Sequence, residues 1–189
     1  MMKLIGSTTS PYVRKVRLLL EGHEYQFVTL KALSPEGSKQ LDSYGPVKRI
    51  PILIEDEKTI FDSSLICEYL LAKKSISLSI EEKLDLKLID ELCDSCISLF
   101  QQILWKTDPD WKNEQSSRML KRANSILDHL DNIQSTTRLT LFQKDWLVCV
   151  LDWLSFRDVI AWKDNHDNLV SLYTESVDQK RFTNTKLTI

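Results

Sequence analysis

The chain has 189 residues, of which 42% are hydrophobic and 28% are charged, and its 25 Lys and Arg residues nearly balance its 27 Asp and Glu residues. This composition is typical of a soluble globular protein, and the length allows one large domain or two small ones. A net charge of −2 gives no general attraction to nucleic acid or anionic lipid, so we expect neither as a partner. No apolar run reaches the roughly 18 residues of a membrane span, and the N-terminus lacks the apolar stretch of a signal peptide, so a cytoplasmic location is expected.

The chain contains four cysteines, Cys67, Cys93, Cys96 and Cys149. Four are too few for a disulfide scaffold, and a core of this size needs none, so we expect reduced thiols. Cys93 and Cys96 form a C-x-x-C pair, which in other proteins is a redox pair or half of a zinc site. Here the pair lies in a long helical pattern without a second ligand pair. We therefore expect both thiols to pack within a helix, and we expect no metal.

Glycine, proline and tryptophan are distributed unevenly along the chain. All four glycines and four of the five prolines fall within the first 51 residues, whereas all five tryptophans come after residue 100. Because glycine and proline mark turns, the remainder should consist mostly of helices with short polar connections. The sequence thus predicts one domain over residues 1–75 and an all-helical domain over residues 80–189.

The first domain is predicted to alternate between strands and helices, because short apolar runs alternate with apolar residues at helical spacing. The predicted elements are strand Lys3–Gly6, helix Pro11–Leu20, strand Tyr25–Leu30, helix Pro35–Tyr44, strands Ile50–Ile54 and Thr59–Phe61, and helix Ser63–Lys73. Strand-helix-strand units imply parallel pairing with right-handed crossovers. The predicted class of this domain is therefore α/β.

The second domain is predicted to contain only helices. Apolar residues recur every three or four positions from Leu84 to Ile103, which is typical of a long amphipathic helix. The predicted helices are Ile80–Lys106, Glu114–Ile133, Leu141–Trp162 and Asn165–Glu175.

Ser10 and Pro11 stand where the first strand meets the first helix. Serine caps the exposed amides at a helix start and proline suits the first helical position, so structure alone would explain both residues. The same geometry aims a hydroxyl and the positive end of a helix dipole at one point, where an anion is stabilised. A thiolate is such an anion, so Ser10 is also a candidate for holding one.

Two later segments have polar or backbone groups available for a peptide-like ligand. Pro51 opens an apolar strand and cannot donate to a ladder, which indicates an edge or a turn, and we predict a cis peptide bond between Ile50 and Pro51. Such a bend leaves the backbone of Ile50 free to pair with an extended peptide. Asp62 and Ser63 are good helix-capping residues. A helix start with a serine hydroxyl also receives a carboxylate, and an aspartate holds an ammonium group, so together they suit an α-amino acid head.

In this order and spacing, these three segments resemble the glutathione S-transferase superfamily. The most specific resemblance is the combination of K-R-I-P-I-L with F-D-S-S-L-I-C-E-Y-L about a dozen residues later, and S-P-Y-V-R-K-V-R is similar to the corresponding run of serine-type bacterial members. The resemblance implies a thioredoxin-like N-terminal domain followed by an all-helical C-terminal domain. It also implies glutathione as co-substrate and a homodimer in which the N-terminal domain of one subunit meets the helical domain of the other.

The resemblance also implies roles for individual residues. Ser10 would hydrogen-bond the glutathione thiolate, with Ser7 or Thr9 as the alternative if Ser10 does not. Ile50 would pair with the cysteinyl backbone of glutathione, and Asp62 with Ser63 would hold its γ-glutamyl end. Lys48 is the candidate for the glycine carboxylate, and Arg49 is the alternative.

A bound thiolate that is itself the nucleophile suits conjugation or glutathione-dependent peroxidase chemistry, and the resemblance favours the first, transfer of glutathione to a small electrophile. The apolar acceptor would lie between the domains, against Tyr12, Phe100, Ile103 and Leu104, although a helical stripe such as the one on this long helix more often forms a core than a pocket. Glutaredoxins carry C-P-Y-C where this chain has S-P-Y-V, so dithiol exchange at this point is excluded. The alternative function is a non-catalytic adaptor that keeps the fold and acts through a protein surface.

Two departures from the family pattern bear on folding. Gly45 stands before Pro46 where relatives commonly carry Asn. The Ser/Thr-x-x-Asp capping box that usually opens the core helix is missing near Leu141, and the nearest substitute is Thr140 with Gln143. We expect this second departure to cost about 1 kcal/mol of stability and to leave the chemistry intact.

Overall fold

The computed structural model describes residues 1–135 and 138–188. It divides the chain into two compact units, one made of Met1–Ser77 with the C-terminal segment from Lys180 onward and the other made of Leu78–Gln179. The sequence-based boundaries assigned this C-terminal segment to the helical domain. The structure instead places it in the first unit, because its side chains and backbone bond to the first helix of that unit.

The first unit is built on a mixed sheet, which confirms the predicted α/β class. Its strands are β1 (Met2–Gly6), β2 (Tyr25–Thr29), β3 (Ile52–Glu55) and β4 (Lys58–Phe61). Among the described residues these four strands form one sheet in the order β2-β1-β3-β4. As predicted, β1 and β2 are parallel, whereas β3 is antiparallel to both β1 and β4.

Helices α1 (Pro11–Leu19), α2 (Pro35–Leu41) and α3 (Ser63–Lys73) accompany the sheet. The first two begin alike, with a serine whose side chain accepts a backbone N–H and a proline at the start of the helix. The second ends at Leu41, earlier than predicted, and a 3-10 turn (Asp42–Tyr44) follows it. Gly45 then adopts φ 123°, which glycine tolerates and other residues rarely adopt.

The core of the first unit is formed by apolar side chains from the sheet and its helices. Its fully buried members include Leu4, Ile5, Val13, Val16, Leu53 and Ile66. Burial of a side chain of this size contributes about 1.5–3 kcal/mol relative to exposure. The apolar pattern that predicts these strands and helices therefore also accounts for much of the stability of the unit.

The C-terminal segment adds a short helix, α8 (Lys180–Thr183), that the sequence did not predict. The Phe182 side chain is fully buried. Arg14 on α1 donates to the Phe182 carbonyl at 3.1 Å and to the Thr185 hydroxyl at 3.3 Å. The Thr8 hydroxyl donates to the Thr188 carbonyl at 2.8 Å. The segment is therefore fixed to α1 and to the loop that precedes it.

The second unit is helical, as predicted. Its helices are α4 (Ile80–Leu104), α5 (Glu114–Ser135), α6 (Leu141–Arg157) and α7 (Asp167–Ser176). The predicted helix Leu141–Trp162 ends at Arg157, because Asp158 adopts a left-handed conformation with φ 51°. None of the described helices is both long enough and apolar enough to cross a membrane.

Gln143 replaces the missing capping box at the start of α6. Its side-chain oxygen accepts the Thr140 backbone N–H at 2.6 Å, and its Nε2 donates to the Glu82 carbonyl at 3.1 Å. The side chain is fully buried. The Thr140 N–H at the start of the helix and the Glu82 carbonyl thus both have a hydrogen-bond partner, and this offsets the expected loss of stability.

Candidate functional site

The strand register brings the three sequence segments to one end of the sheet. Ile5 on β1 pairs with Ile52 on β3, and Ile52 pairs with Phe61 on β4. The loop after β1 leads to Ser10, the residues before Ile52 are Ile50 and Pro51, and the residues after Phe61 are Asp62 and Ser63. Residues that are separated by up to 53 positions in the printed sequence thus share one edge of the first unit.

Ser10 is the N-cap of α1. Its Oγ accepts the Val13 backbone N–H at 3.3 Å, and Pro11 is the first residue of the helix. In the bonds between described residues this hydroxyl acts only as an acceptor, so its own hydrogen can be donated. The capping role and the thiolate-binding role are therefore compatible in one side chain.

The alternative hydroxyls, Ser7 and Thr9, bond to each other. Their side-chain oxygens are 2.8 Å apart, and the Thr9 backbone N–H also donates to the Ser7 oxygen at 3.2 Å. Either one would have to break this contact to donate to a ligand at full strength. Ser10 carries no such cost, which favours it over its two neighbours.

The peptide bond between Ile50 and Pro51 is cis, as predicted. Ile50 is half-buried and lies ahead of Ile52, the first residue of β3 that pairs with β1. Its backbone is therefore outside the paired part of the sheet. This position suits the predicted pairing with an extended peptide.

Asp62 and Ser63 form the start of α3. The Asp62 Oδ1 accepts the backbone N–H groups of Ser64 at 2.9 Å and Leu65 at 3.1 Å. Both capping bonds use the same oxygen, so Oδ2 can accept a hydrogen bond from an ammonium group. Ser63 is the first residue of the helix, where backbone N–H groups point away from the helix and favour a carboxylate.

Lys48 is positioned by an ion pair with Asp42. The Lys48 Nζ lies 2.7 Å from the Asp42 Oδ1, and both side chains are more than half exposed. Exposed pairs of this kind contribute at most about 1 kcal/mol, so a ligand carboxylate can compete with Asp42. Arg49, the alternative, is also exposed.

Sequence reasoning missed Lys15. Its side chain is only 3% exposed, and its Nζ donates to the Ser64 hydroxyl at 3.3 Å. This bond joins α1 to the first turn of α3 and puts a buried positive charge beside the segment predicted to hold the γ-glutamyl end. The available signal was the sequence V-R-K-V, in which two cations lie between valines of a helix with an apolar face.

The residues predicted to contact the acceptor belong to different units. Tyr12 lies half-buried on α1, whereas Phe100, Ile103 and Leu104 lie at the C-terminal end of α4. Phe100 packs edge-on against Trp153, with ring centroids 5.7 Å apart. It is thus part of the helical packing, while Leu104 is exposed. Contact of these residues with an acceptor stays a prediction.

Arg157 at the end of α6 also contacts Phe100. Its guanidinium carbon lies 4.9 Å from the ring centroid of Phe100 and 4.9 Å from that of Phe156. Its Nε is buried and has no hydrogen-bond partner among the described residues. An unsatisfied buried donor costs about 1–3 kcal/mol, more when it is charged.

The four cysteines are buried free thiols. Burial raises the pKa of the Cys96 thiol to about 12, so this group is protonated and unreactive near neutral pH. The described residues contain no group of three or more His, Cys, Asp and Glu side chains that would hold a metal ion.

Comparison with known proteins identifies the domain that this geometry builds. Residues 4–77 match the family model for the glutathione S-transferase N-terminal domain. Over an aligned length of 200 residues, covering 98% of each chain, the protein is 25% identical to the uncharacterized GST-like protein YibF of Escherichia coli K12. The first domain therefore belongs to the glutathione S-transferase N-terminal domain family.

Solved structures extend this result to the whole chain. A glutathione S-transferase from Methylobacillus flagellatus KT with glutathione bound superposes with a TM-score of 0.83 at 22% identity, covering 100% of both chains. One from Methylobacterium radiotolerans JCM 2831 in complex with glutathione sulfonate gives a TM-score of 0.85 at 20% identity, covering 100% of this chain and 95% of the other. The chain therefore has the glutathione S-transferase fold, with the thioredoxin-like and helical parts predicted from the sequence.

Proposed function

We propose that this protein is a serine-type glutathione transferase, which binds glutathione in its first unit and transfers it to a small electrophile. The observation that carries this proposal is the register of Ile5 with Ile52 and of Ile52 with Phe61, which brings the three candidate segments to one edge of the first unit. The match of residues 4–77 to the family and the glutathione-bound state of a structural relative support it.

In this proposal Ser10 keeps the glutathione sulfur ionised. Its hydroxyl donates to the thiolate at the positive end of α1, and the thiol proton leaves to solvent when glutathione binds. Lowering a thiol pKa by ~2 units requires ~2.7 kcal/mol of preferential stabilisation of the thiolate. A hydrogen bond to a charged group contributes ~1.5–3 kcal/mol and a helix terminus ~0.3–1 kcal/mol, so the two together are sufficient.

The remaining segments fix the tripeptide. The backbone of Ile50 pairs with the cysteinyl residue, Asp62 holds the γ-glutamyl ammonium group, and Ser63 holds the γ-glutamyl carboxylate. Lys48 binds the glycine carboxylate in exchange for Asp42, with Arg49 as the alternative. The thiolate then attacks the electrophilic carbon of the acceptor, a carbon–sulfur bond forms, and the leaving group departs with the electron pair of its bond.

Retention on immobilised glutathione, followed by a conjugation assay with 1-chloro-2,4-dinitrobenzene, tests the proposal. The wild-type protein is expected to bind and to turn over, and Ser10→Ala is expected to bind with kcat at least tenfold lower. Retention without turnover would favour the non-catalytic adaptor instead. Unchanged turnover in Ser10→Ala would transfer the role to Ser7 or Thr9.

Ser34→Ala is the matched control for the loss of a helix cap. Ser34 caps α2 as Ser10 caps α1, because its Oγ accepts the Gly37 backbone N–H at 3.0 Å. Both substitutions are expected to lower the free energy of unfolding by about 0.5–2 kcal/mol. Only Ser10→Ala is expected to lower turnover and to raise the pKa of the bound glutathione thiol.

We also propose a homodimer of the kind implied by the family resemblance. Phe61 and Leu65 at the site end of the first unit are exposed, and so is Leu84 on the second unit, which the sequence placed in a buried stripe. Exposed apolar side chains of this size are available to be covered in an interface. Light scattering after size-exclusion chromatography is expected to give twice the mass of one chain for the wild-type protein. For Phe61→Glu it is expected to give the mass of one chain. The control Leu33→Glu, at another exposed leucine, should leave the dimer intact.

A further inference from the structure

The C-terminal segment from Lys180 onward follows α1 toward the loop that precedes this helix. Near the C-terminal end of α1, Arg17 donates to the Asn184 carbonyl at 3.1 Å. Further along the segment, the Thr188 carbonyl accepts the Thr8 hydroxyl at 2.8 Å. Later residues of the segment thus bond to earlier residues of the first unit, and the segment extends past the start of α1 to the loop between β1 and α1.

Two buried apolar side chains anchor this segment. Phe182 is fully buried and Leu187 is 4% exposed. Movement of the segment would bring both side chains into water, which the hydrophobic effect opposes. Thr188 follows directly after Leu187, so its carbonyl oxygen is a fixed acceptor. The hydrogen bond therefore restrains Thr8, and not the segment.

The loop between β1 and α1 is held internally by hydrogen bonds among its own residues. The Ser7 and Thr9 hydroxyl oxygens are 2.8 Å apart, and the Ser10 backbone N–H donates to the Ser7 carbonyl at 3.2 Å. These bonds fix the shape of the loop, but they do not join it to another part of the unit. The Thr8 hydroxyl does, because its acceptor lies 180 positions later in the chain.

We infer that the Thr8 hydroxyl, held by the Thr188 carbonyl, positions Ser10 for its contact with the glutathione thiolate. The inference rests on the proposed transferase function, and it adds the C-terminal segment to the structure that supports the thiolate. Ser10 lies two residues after Thr8, so a restraint on Thr8 limits the positions that the Ser10 hydroxyl can adopt. A hydrogen bond weakens steeply away from its best distance and direction, so a fixed donor stabilises a thiolate more than a mobile one. Thr8 is thus a positioning residue, since it acts through Ser10.

Loss of this restraint should affect the sulfur more than the rest of glutathione, because Asp62 and Ser63 hold the γ-glutamyl end in the proposal and belong to another segment. Thr8→Val keeps the shape of the side chain but removes the donor. It is expected to raise the pKa of the bound glutathione thiol and to lower kcat about threefold at pH values below that pKa. The KM for glutathione is expected to change by less than twofold. The pH dependence of kcat and the ultraviolet absorbance of the bound thiolate measure the first effect, and steady-state kinetics measure the second.

Three further variants show whether the hydroxyl itself is the cause. Thr8→Ser keeps a hydroxyl donor and should keep most of the wild-type pH profile. Thr188→Ala leaves the accepting backbone carbonyl in place and should have no effect. Thr174→Val removes a hydroxyl that donates to the Val170 carbonyl at the same distance of 2.8 Å in the helical unit, and it should have no effect either. A wild-type pH profile in Thr8→Val, or an equal change in Thr8→Ser, would overturn the inference.

A double-mutant cycle tests whether the C-terminal segment is the anchor. Leu187→Ala removes a buried side chain beside Thr188 and should loosen the acceptor, so it is also expected to raise the pKa of the bound thiol. Thr8→Val should then add less than it does in the wild-type background. Strictly additive effects would overturn the inference, because they would mean that the two residues act independently.

Hydrogen exchange separates failure of this inference from failure of the proposed function. The exchange rate of the Ser10 amide is measured without glutathione, because this N–H donates within the loop and is released when the loop moves. Thr8→Val is expected to speed this exchange at least threefold, and Thr174→Val is expected to leave it unchanged. Faster exchange in a protein that conjugates nothing would overturn the transferase function and leave the restraint by Thr8 standing. Conjugation in a protein whose thiol pKa and Ser10 exchange are unchanged by Thr8→Val would overturn the restraint and leave the transferase function standing.

Discussion

The Lys15 ammonium group donates a hydrogen bond to the Ser64 hydroxyl at 3.3 Å from a side chain that is almost completely buried. A buried cation has more influence on a nearby anion than an exposed one, because solvent screens it less. Ser64 follows directly after Ser63, the residue proposed to hold the γ-glutamyl carboxylate. If glutathione binds as proposed, the positive charge of Lys15 is expected to stabilise this carboxylate.

Replacement of Lys15 by methionine is expected to weaken glutathione binding about fivefold or more. Methionine keeps most of the apolar length of the side chain but removes the charge and the bond to Ser64. Calorimetric titration with glutathione measures the effect, and Lys87→Met, which removes an exposed lysine paired with Glu91 on α4, is the control. An unchanged affinity in a folded Lys15→Met protein would contradict this role.

Asp62 is expected to have two separable functions. Asp62→Asn keeps a side-chain oxygen for the N–H groups of Ser64 and Leu65 but removes the negative charge. Stability should therefore change little, whereas glutathione affinity should fall at least tenfold. Asp62→Ala should lose affinity to the same extent and also about 0.5–2 kcal/mol of unfolding free energy, because the cap is lost. Urea unfolding and calorimetry measure the two quantities, and equal stability of the two variants would contradict the capping role.

Much of the first unit could be predicted because its local signals agree with its tertiary structure. Ser10 with Pro11 and Asp62 with Ser63 mark helix starts by their own chemistry, and Pro51 marks the bend before β3. The end of the helix that begins at Leu141 could not be predicted, since the apolar residues run on to Trp162 and the left-handed Asp158 has no glycine to announce it. The position of Lys15 was equally hidden, because burial of a cation depends on residues that are distant in the sequence.

Phe182 is expected to be essential for the stability of the first unit. Its ring is fully buried, and truncation of such a ring leaves a cavity that costs about 3–5 kcal/mol. Phe182→Ala should therefore lower the unfolding temperature strongly, and Phe182→Leu should restore most of it. Thermal unfolding followed by circular dichroism tests this, and a small effect of Phe182→Ala would show that the C-terminal segment is dispensable.

Gln143 is expected to contribute to stability without any effect on glutathione. Gln143→Ala removes the acceptor for the Thr140 N–H and the donor to the Glu82 carbonyl, at a cost of about 1–3 kcal/mol. Gln143→Glu keeps the acceptor but buries a carboxylate against the Glu82 carbonyl and the Asp85 carboxylate, so it should cost more than Gln143→Ala. Chemical unfolding of both variants gives the comparison. A change in glutathione affinity in either one would be unexpected, since the residue belongs to the helical unit.

Cys96 is expected to make the protein less stable at alkaline pH. Burial raises the pKa of its thiol from 9.0 to about 12, so between these values the unfolded chain releases a proton that the folded chain retains. Stability from this group is complete below pH 9 and falls by about 1.4 kcal/mol per pH unit above it. Urea unfolding between pH 8 and pH 10 should show a smaller slope for Cys96→Ala. Identical slopes would mean that the thiol is accessible to water.

The first unit is assembled from two stretches of chain that are separated by the whole of residues 78–179. A ribosome exposes Phe182 only after it has synthesised that intervening part, which takes about 5–20 seconds at typical rates of translation. During this interval the buried side of α1, including Arg14, lacks the residues that cover it in the finished protein. The N-terminal sheet is therefore synthesised first, but the unit that contains it is completed last. The helical unit has time to fold before the C-terminal segment covers α1.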